Sequence, residues 1–160
     1  MLSTKLMRTL TLGLTLVAPA AMAEGASERL NCAEGTVQLG SKEEGLSCVK
    51  SGTKAGARTS HGAYVEYHPN GVKAAQGQFE NGLKVGTWTF YDASGNKRGT
   101  AEFKDGGWHG QRVMYFPSGK PQRIEEYKNG RKNGVVKDLA EDGRVLSQVR
   151  YENNREVAAQ

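Results

Sequence analysis

The side chains of this 160-residue chain that are best suited to chemistry are two cysteines and three histidines. Cys32 and Cys48 have 15 residues between them. In an oxidising compartment an even pair predicts one disulfide, and only one pairing exists. Closing that loop is expected to stabilise the segment by on the order of 3 kcal/mol. A redox-active or metal-binding pair is the alternative, although the C-x-x-C spacing is missing and no histidine lies between the two.

The histidines and the paired carboxylates do not form a recognisable catalytic or metal site. His61 and His109 are equivalent positions of a repeat, but about four strands, or roughly 19 Å, would separate them, which is too far for one metal ion. His68 lies in a predicted turn, where a solvated ring is expected. Glu125 and Glu126 alternate across a predicted strand, so they do not face each other as a catalytic pair.

No enzyme motif is present in the sequence. A P-loop, an H-E-x-x-H helix, a G-x-S-x-G turn and a dinucleotide-binding glycine pattern are all missing. We therefore predict a non-enzymatic protein without catalytic residues, cofactor or metal. The 22 basic and 17 acidic residues are mixed along the chain, as where Lys97 and Arg98 precede Glu102. This pattern favours a solvated surface over a phosphate-binding stripe, so no nucleic-acid partner is expected.

Residues 1–23 have the three-part order of a cleavable secretory signal. Lys5 and Arg8 precede an apolar stretch from Leu10 to Ala18, and Ala21-Met22-Ala23 supplies the small residues of a cleavage site. The apolar stretch is well short of the ~20 residues that span a bilayer. We expect cleavage after Ala23, no transmembrane segment in the mature chain, and a periplasmic or secreted location.

A period of 24 residues is the strongest pattern in the chain, and a fixed period of this size indicates a repeat architecture. Four copies are predicted at residues 61–84, 85–108, 109–132 and 133–156. Residues 24–60 form a small cysteine-paired module and linker, and residues 157–160 form a tail. The repeated structural positions are Gly62, Gly71, Phe79, Gly82, Gly86, Gly95, Phe103, Gly106, Gly110, Gly119, Tyr127, Gly130, Gly134, Gly143 and Tyr151.

Each copy predicts two β-strands and two turns. Residues 87–91 are rich in β-forming residues and lead to a turn that ends at Gly95. The second strand of a copy ends at an Asn-Gly or Asp-Gly pair such as Asn81-Gly82, which favours a tight hairpin. No room remains for a helix. Hairpins laid edge to edge predict an all-β, elongated, open antiparallel sheet, and its exposed terminal strands leave an edge-strand homodimer open.

The aromatic residues of the strands have two interpretations. Phe79 and its equivalents are expected to build a buried cross-strand ladder. Trp88 and Tyr91 differ in parity, so either a bulge intervenes or both faces of the sheet carry aromatic side chains. Aromatic residues that remain exposed would form a contact surface for a protein or glycan. The candidates for partner binding are Tyr64, Trp88, Phe90, Tyr91 and Trp108.

The pattern H-G-x-x-x-x-Y-x-x-x-G, followed by a strand, an aromatic residue and N-G, resembles the MORN-repeat variant of the bacterial YwqK-type antitoxin family. The resemblance covers residues 61–156, with Arg112 at the tryptophan position of the third copy and Val136 at that of the fourth. It implies an open antiparallel sheet used as a binding or scaffolding surface, without catalytic residues. The first copy matches at Gly62, Tyr67, Gly71, Phe79 and Gly82, and the second at Gly86, Trp88, Tyr91, Gly95, Phe103 and Gly106.

The signal, the repeat and the absence of enzyme motifs lead to one hypothesis and two alternatives. We expect an exported, non-enzymatic repeat scaffold that binds a protein or cell-envelope partner through an extended β surface. The first alternative is an antitoxin or immunity-type protein that neutralises a toxin, which rests on the resemblance alone. The second is peripheral binding to membrane lipid, against which the interspersed acidic residues argue.

Overall fold

The chain folds into one open antiparallel sheet in which strands adjacent in sequence lie side by side. The computed structural model describes residues 28–51 and 57–157, so the predicted signal at residues 1–23 lies outside the described residues. The predicted all-β architecture is confirmed, and no helix occurs in the described ranges. The strands are β1 (Val37–Ser41), β2 (Gly45–Ser51), β3 (Arg58–Tyr67), β4 (Lys73–Glu80), β5 (Leu83–Tyr91), β6 (Lys97–Lys104), β7 (Gly107–Tyr115), β8 (Pro121–Lys128), β9 (Arg131–Lys132), β10 (Gly134–Leu139), β11 (Val145–Glu152) and β12 (Arg155–Val157).

Two kinds of turn connect the strands, and both use the predicted residues. In the first turn the Gly71 amide donates to the His68 carbonyl at 2.8 Å, and Gly71 has a φ of 78°. In the second, Asn81 and Gly82 have φ angles of 51° and 83°, and two positive values are typical of a type I′ hairpin turn. The Gly82 amide also donates to the Ser60 carbonyl at 2.8 Å, which ties the turn to the neighbouring hairpin.

A β-bulge recurs in every repeat, beside the strand that carries aromatic residues such as Trp88 and Tyr91. The register of β5 and β6 shifts between Phe90 and Tyr91, because Arg98 is an extra residue on the partner strand. The side chains of β5 still alternate, so Trp88 and Tyr91 lie on opposite faces. The second alternative is therefore the correct one: both faces carry aromatic side chains, and the bulge at Arg98 on the partner strand leaves the alternation of β5 unchanged. The same shift occurs at Glu66/Tyr67, Met114/Tyr115 and Asp138/Leu139.

The two faces of the sheet carry different aromatic sets. We call one the aromatic face, which carries Tyr64, Phe79, Trp88 and Phe103, whose rings contact one another. We call the other the tyrosine face, which carries Tyr67, Tyr91 and Tyr115. The Tyr115 hydroxyl lies 3.5 Å from Thr100 Oγ1. Ala101 pairs with Trp88 on the aromatic face, so its neighbour Thr100, and with it Tyr115, lies on the opposite face.

The core of the sheet centres on Trp88, whose side chain is fully buried. Its ring centroid lies 5.1 Å from that of Phe79, 5.6 Å from that of Tyr64 and 6.0 Å from that of Phe103. Edge-on and tilted ring contacts at these distances stabilise a core beyond the burial of area alone. Gly77 makes room for the indole, since a Cβ there would overlap the ring. The other buried apolar residues are Leu46, Cys48, Val49, Val65, Ala75, Ala101, Tyr127 and Val136.

The disulfide-linked segment is the first hairpin of the same sheet. Cys32 and Cys48 form the predicted disulfide, with their Cα atoms 5.5 Å apart. Strand β2 pairs with β1 on one side and with β3 on the other, so this hairpin continues directly into the repeats. Cys48 is fully buried, and a Cβ at Gly62 would lie 3.2 Å from the Cys48 Cβ atom. The disulfide therefore anchors the segment that precedes β1 to the start of the repeats.

The fourth repeat keeps the hairpin although its sequence is the least regular. Strand β10 pairs with β11 and keeps the recurrent bulge, and Gly143 keeps its positive φ of 88°. The strand equivalent to β7 is interrupted at Asn133, whose amide donates to the Glu126 carbonyl at 2.9 Å, and it is thereby divided into β9 and β10. Asn154 replaces the glycine of the tight turn and still adopts a φ of 70°.

Candidate interaction surface

A groove on the aromatic face arises because small residues on β6 are flanked by large residues on β5 and β7. Gly99 pairs with Phe90 on one side and with Met114 on the other, and Ala101 pairs with Arg112. Paired residues of antiparallel strands project to the same face, so the backbone of β6 forms a floor between taller side chains. The resulting groove has a volume of about 440 Å³.

The walls of the groove combine apolar side chains with a few cations. Phe90 and Met114 face each other across the floor and are half-buried. Trp108 is 38% exposed, and the Arg112 guanidinium lies 5.1 Å from its ring centroid, within cation–π range. The bulge residue Arg98 adds a second positive charge at the rim. An apolar groove with an exposed tryptophan and arginine at its edge has the composition of a protein-binding hot spot.

The Trp88 cluster closes the sheet on one side of the groove. In the first repeat Gly77 takes the place of Ala101, but the Trp88 indole covers it, so no equivalent floor is open there. Lys84 Nζ lies 4.1 Å from the Trp88 ring centroid and 5.5 Å from that of Phe103, which covers the outer side of the cluster. This part of the aromatic face is therefore a filled core.

A network of charged side chains bounds the other side. Glu125 is 2% exposed and accepts hydrogen bonds from Arg112 Nη1 at 2.7 Å and from Arg123 Nε at 3.2 Å. Lys132 Nζ lies 2.9 Å from its Oε1 atom, and the Tyr127 hydroxyl donates to Oε2 at 3.1 Å. A buried carboxylate is tolerated only when its charge is compensated and its oxygens are hydrogen-bonded, and both conditions are met.

The surroundings of Glu125 fix its charge. Burial alone would raise the pKa of this carboxyl group, but hydrogen bonds from Lys132, Arg112 and Arg123 lower the pKa to about 2. Burial, followed by the neighbouring Glu125 charge, raises the pKa of Tyr127. At neutral pH the site thus holds a fixed carboxylate and a protonated phenol. Neither group is poised to exchange a proton, so the network acts as structure.

The five predicted partner-binding aromatics do not form one surface. Trp88 is fully buried and cannot contact a partner, which corrects its inclusion in the candidate set. Tyr64 packs edge-on against Phe79 and belongs to the filled core. Phe90 and Trp108 line the groove, whereas Tyr91 lies on the tyrosine face. Only two of the five are therefore brought together at an accessible site.

Sequence reasoning missed the residues that shape the groove. Gly99 does not belong to the glycines that recur every 24 residues, and its φ is not positive. A single glycine inside a strand often marks a place where another group approaches the backbone closely, and this signal could have identified the groove. Met114 carries no motif, and the partnership of Arg112 with Glu125 depends on strand register. Within residues 28–51 and 57–157 no group of three or more histidine, cysteine, aspartate or glutamate side chains is arranged to hold a metal ion.

The comparison with protein families identifies the repeat unit. Residues 60–81, 84–105 and 108–129 match the family model described as MORN repeat variant. Three consecutive segments of the chain are therefore similar to the MORN repeat variant. These three segments fall within the hairpins β3–β4, β5–β6 and β7–β8 together with their turns. The repeat resemblance is thereby confirmed for the first three of the four predicted copies, whereas the finer likeness to the YwqK-type antitoxin family stays a hypothesis. No curated protein matches the chain.

Two solved structures show a partial likeness to this chain. A Glycosylation Associate Protein complex from Streptococcus agalactiae is 19% identical over 69% of this chain and 20% of that chain, with a TM-score of 0.41. A TarM mutant from S. aureus, in complex with fondaparinux, alpha-GlcNAc-glycerol and UDP, is 13% identical over 77% of this chain and 21% of that chain, with a TM-score of 0.36. The chain spans about a fifth of the length of either structure, and neither likeness bears on its function.

Proposed function

We propose that this chain is an exported, non-enzymatic repeat scaffold that binds a protein or cell-envelope partner through the groove of its aromatic face. The observation that carries the proposal is the groove itself, in which Phe90, Met114 and Trp108 leave apolar surface open to solvent above the floor at Gly99. Burial of such a patch by a partner would be favourable at roughly 25 cal/mol per Å² of apolar area before the costs of association.

A binding role fits the groove better than a catalytic one. Arg112 in the groove wall pairs with Glu125, whose carboxylate already accepts hydrogen bonds from four side chains. An acid or base in catalysis needs a pKa near the working pH and access to the substrate, and Glu125 has neither. Rigid strands on either side would instead hold the apolar walls in place for recognition.

Export is supported by two independent features of the chain. The disulfide between Cys32 and Cys48 is typical of proteins that fold in an oxidising compartment. Residues 1–23 have the charge and hydropathy pattern of a cleavable signal. No helix within the described ranges has the length and apolar character needed to cross a membrane. The disulfide and the signal pattern together support a periplasmic or secreted location, with cleavage after Ala23.

The experiment places a photo-crosslinking residue, p-benzoylphenylalanine, at position 108 in the exported chain and irradiates intact cells. We expect one discrete crosslinked product that disappears when Met114 is changed to Ser, because loss of the apolar wall removes the binding surface. The matched control carries the crosslinker at position 80, where Glu80 is exposed at a hairpin end. Products that are identical from positions 108 and 80, or that survive Met114→Ser, would contradict the proposal.

The alternative functions have weaker support. Antitoxin activity rests on the family resemblance, and no contact among the described residues favours it. Peripheral lipid binding would need a continuous basic surface, whereas Arg112, Arg123 and Lys132 are committed to Glu125.

A further inference from the structure

The tyrosine face repeats one pairing of side chains in successive hairpins. Tyr67 on β3 is paired with Lys73 on β4, and Tyr91 on β5 is paired with Lys97 on β6. The tyrosine and the lysine therefore lie side by side on the same face at the bulged end of each hairpin. Two strands separate the pairs, which corresponds to about 10 Å along the sheet.

The first pair holds a carboxylate from elsewhere in the chain. The Tyr67 hydroxyl donates to Glu28 Oε2 at 2.6 Å, and Lys73 Nζ lies 2.7 Å from Glu28 Oε1. The two donors thus take one carboxylate oxygen each. These hydrogen bonds, first from Lys73 and then from Tyr67, lower the pKa of Glu28, so the bound group is an anion.

Glu28 belongs to a segment without regular secondary structure, which the side chain of Gln38 holds beside the sheet. The Leu30 amide donates to Gln38 Oε1 at 2.7 Å, and Gln38 Nε2 donates to the Glu28 carbonyl at 2.9 Å. The first Tyr–Lys pair therefore binds a glutamate side chain on a segment that is not itself a strand. The contact of Glu28 with Tyr67 and Lys73 is thus an internal example of how a Tyr–Lys pair binds a carboxylate.

The second pair has the same residues without an internal carboxylate. Within residues 28–51 and 57–157 no carboxylate contacts the Tyr91 hydroxyl or the Lys97 ammonium group. Lys97 is exposed, and its Nζ lies 4.2 Å from the ring centroid of Tyr115 in the next hairpin. A cation–π contact leaves N–H donors of the ammonium group free to bind an anion.

We propose that Tyr91 and Lys97 bind the carboxylate of an acidic side chain on a peptide segment of a partner protein. The proposal rests on the proposed role in partner binding and names the chemistry of that partner on the opposite face from the groove. The tyrosine hydroxyl and the lysine ammonium group would each bind one carboxylate oxygen, as Tyr67 and Lys73 bind Glu28. The carboxylate of the partner would supply the negative charge that Lys97 does not have beside it. On binding, the Lys97 ammonium group moves from the Tyr115 ring to the carboxylate of the partner, which gives it the position that Lys73 has beside Glu28.

The experiment titrates the disulfide-bonded chain with the peptide N-acetyl-Gly-Glu-Gly-amide and follows tyrosine ring and lysine ε-methylene signals by NMR. The neutral peptide N-acetyl-Gly-Gln-Gly-amide is the control ligand. We expect saturable shifts at Tyr91, Lys97 and Tyr115 with the glutamate peptide only, while the signals of Tyr67 and Lys73 stay unchanged because Glu28 occupies them. Lys97→Gln is expected to weaken binding by about 5- to 10-fold, as for the loss of one charge-assisted hydrogen bond.

Two variants make the assignment specific. Lys104→Gln removes the same charge from the other end of β6 and is expected to leave the titration unchanged. Glu28→Ala removes the carboxylate from the first pair, so Tyr67 and Lys73 are expected to respond to the peptide as a second site. Equal response to both peptides, or no response at Tyr91 and Lys97 in the unaltered chain, would overturn the proposal. Shifts there with phosphatidylglycerol vesicles and not with the glutamate peptide would also overturn it and assign the pair to lipid phosphate.

Failure of this test is distinguishable from failure of the proposed function. The peptide titration reports only on the tyrosine face, whereas the crosslink from position 108 reports on the groove of the aromatic face. A discrete crosslink with no peptide response would retain partner binding and remove the carboxylate site.

Discussion

Arg112 donates a 2.7 Å hydrogen bond to Glu125 at the pair of positions where the preceding repeat sets Trp88 against Ala101. The register makes these cross-strand pairs equivalent, so the large apolar residue and its small partner are both replaced in the third repeat. A tryptophan needs space above a small residue, whereas an arginine beside a buried position needs an acceptor. The two replacements are therefore one structural unit.

Glu125→Gln is predicted to destabilise the protein by about 2–4 kcal/mol, because Arg112 and Lys132 would lose the charge that compensates them and Arg123 would keep only Asp138. Urea denaturation of the oxidised protein measures the change. Glu80→Gln is the control, since Glu80 is exposed, and it is expected to stay within about 0.5 kcal/mol of the unaltered protein. Equal effects of the two substitutions would show that the network contributes nothing to stability.

Arg112→Trp combined with Glu125→Ala is predicted to be more stable than the sum of the single substitutions allows. The double variant recreates the pairing of Trp88 with Ala101, whereas Arg112→Trp alone leaves the buried carboxylate without its shortest hydrogen bond. A double-mutant cycle is expected to give a coupling free energy of at least about 1 kcal/mol. Strict additivity would mean that the two positions are independent despite their contact.

The stability contribution of Glu125 is predicted to depend on pH in the acidic range. Its folded-state pKa of about 2 lies below the ordinary value of 4.5, so the folded state favours the ionised form. The contribution is present above about pH 4.5 and is lost as the pH falls towards 2. The difference in unfolding free energy between the unaltered protein and Glu125→Gln should therefore shrink over that interval. A constant difference would mean that this carboxylate does not titrate as inferred.

The sequence was sufficient for the repeat, the turns and the disulfide, because each depends on local backbone requirements. A glycine such as Gly95 is needed where φ is 86°, and the Asn81-Gly82 pair suits two successive positive φ angles. These requirements recur every 24 residues whatever the side chains between them do. The fold class could therefore be predicted from spacing alone.

The interaction surfaces could not be predicted in the same way, because they depend on which side chains become cross-strand neighbours. Arg98 bulges out of the pairing, which changes the register by one residue and cannot be read from periodicity. Trp88 was a candidate contact residue, but Gly77 on the neighbouring strand gives it a buried site. Tyr67 and Glu28 are separated by 39 residues, so their hydrogen bond follows only from the path of the segment before β1.

Cys32→Ser is predicted to lower stability by on the order of 3 kcal/mol relative to the oxidised protein, since the disulfide closes a loop of 16-residue separation. This position is preferable to Cys48, which is fully buried and would place a hydroxyl group in the core. Thermal unfolding with and without reductant measures the effect. Once the disulfide of the unaltered protein is reduced, the two proteins should unfold at nearly the same temperature. A large remaining difference would show that Cys32 stabilises the fold by other means.

Gly77→Ala is predicted to destabilise the sheet by about 1–3 kcal/mol through overpacking, because the new methyl group would displace the Trp88 indole. Gly77 has no positive φ, so an alanine there is otherwise compatible with the strand. Gly95→Val is the contrasting variant, and it is expected to lower the free energy of unfolding by a similar amount through backbone strain at a φ of 86°. A Cβ at position 95 would lie 3.6 Å from the nearest side chain, that of Val72, so no effect on Trp88 is expected. Fluorescence in a Trp108→Phe background reports on Trp88 alone. Only Gly77→Ala should shift the emission to longer wavelength, because only that substitution moves a buried indole towards water.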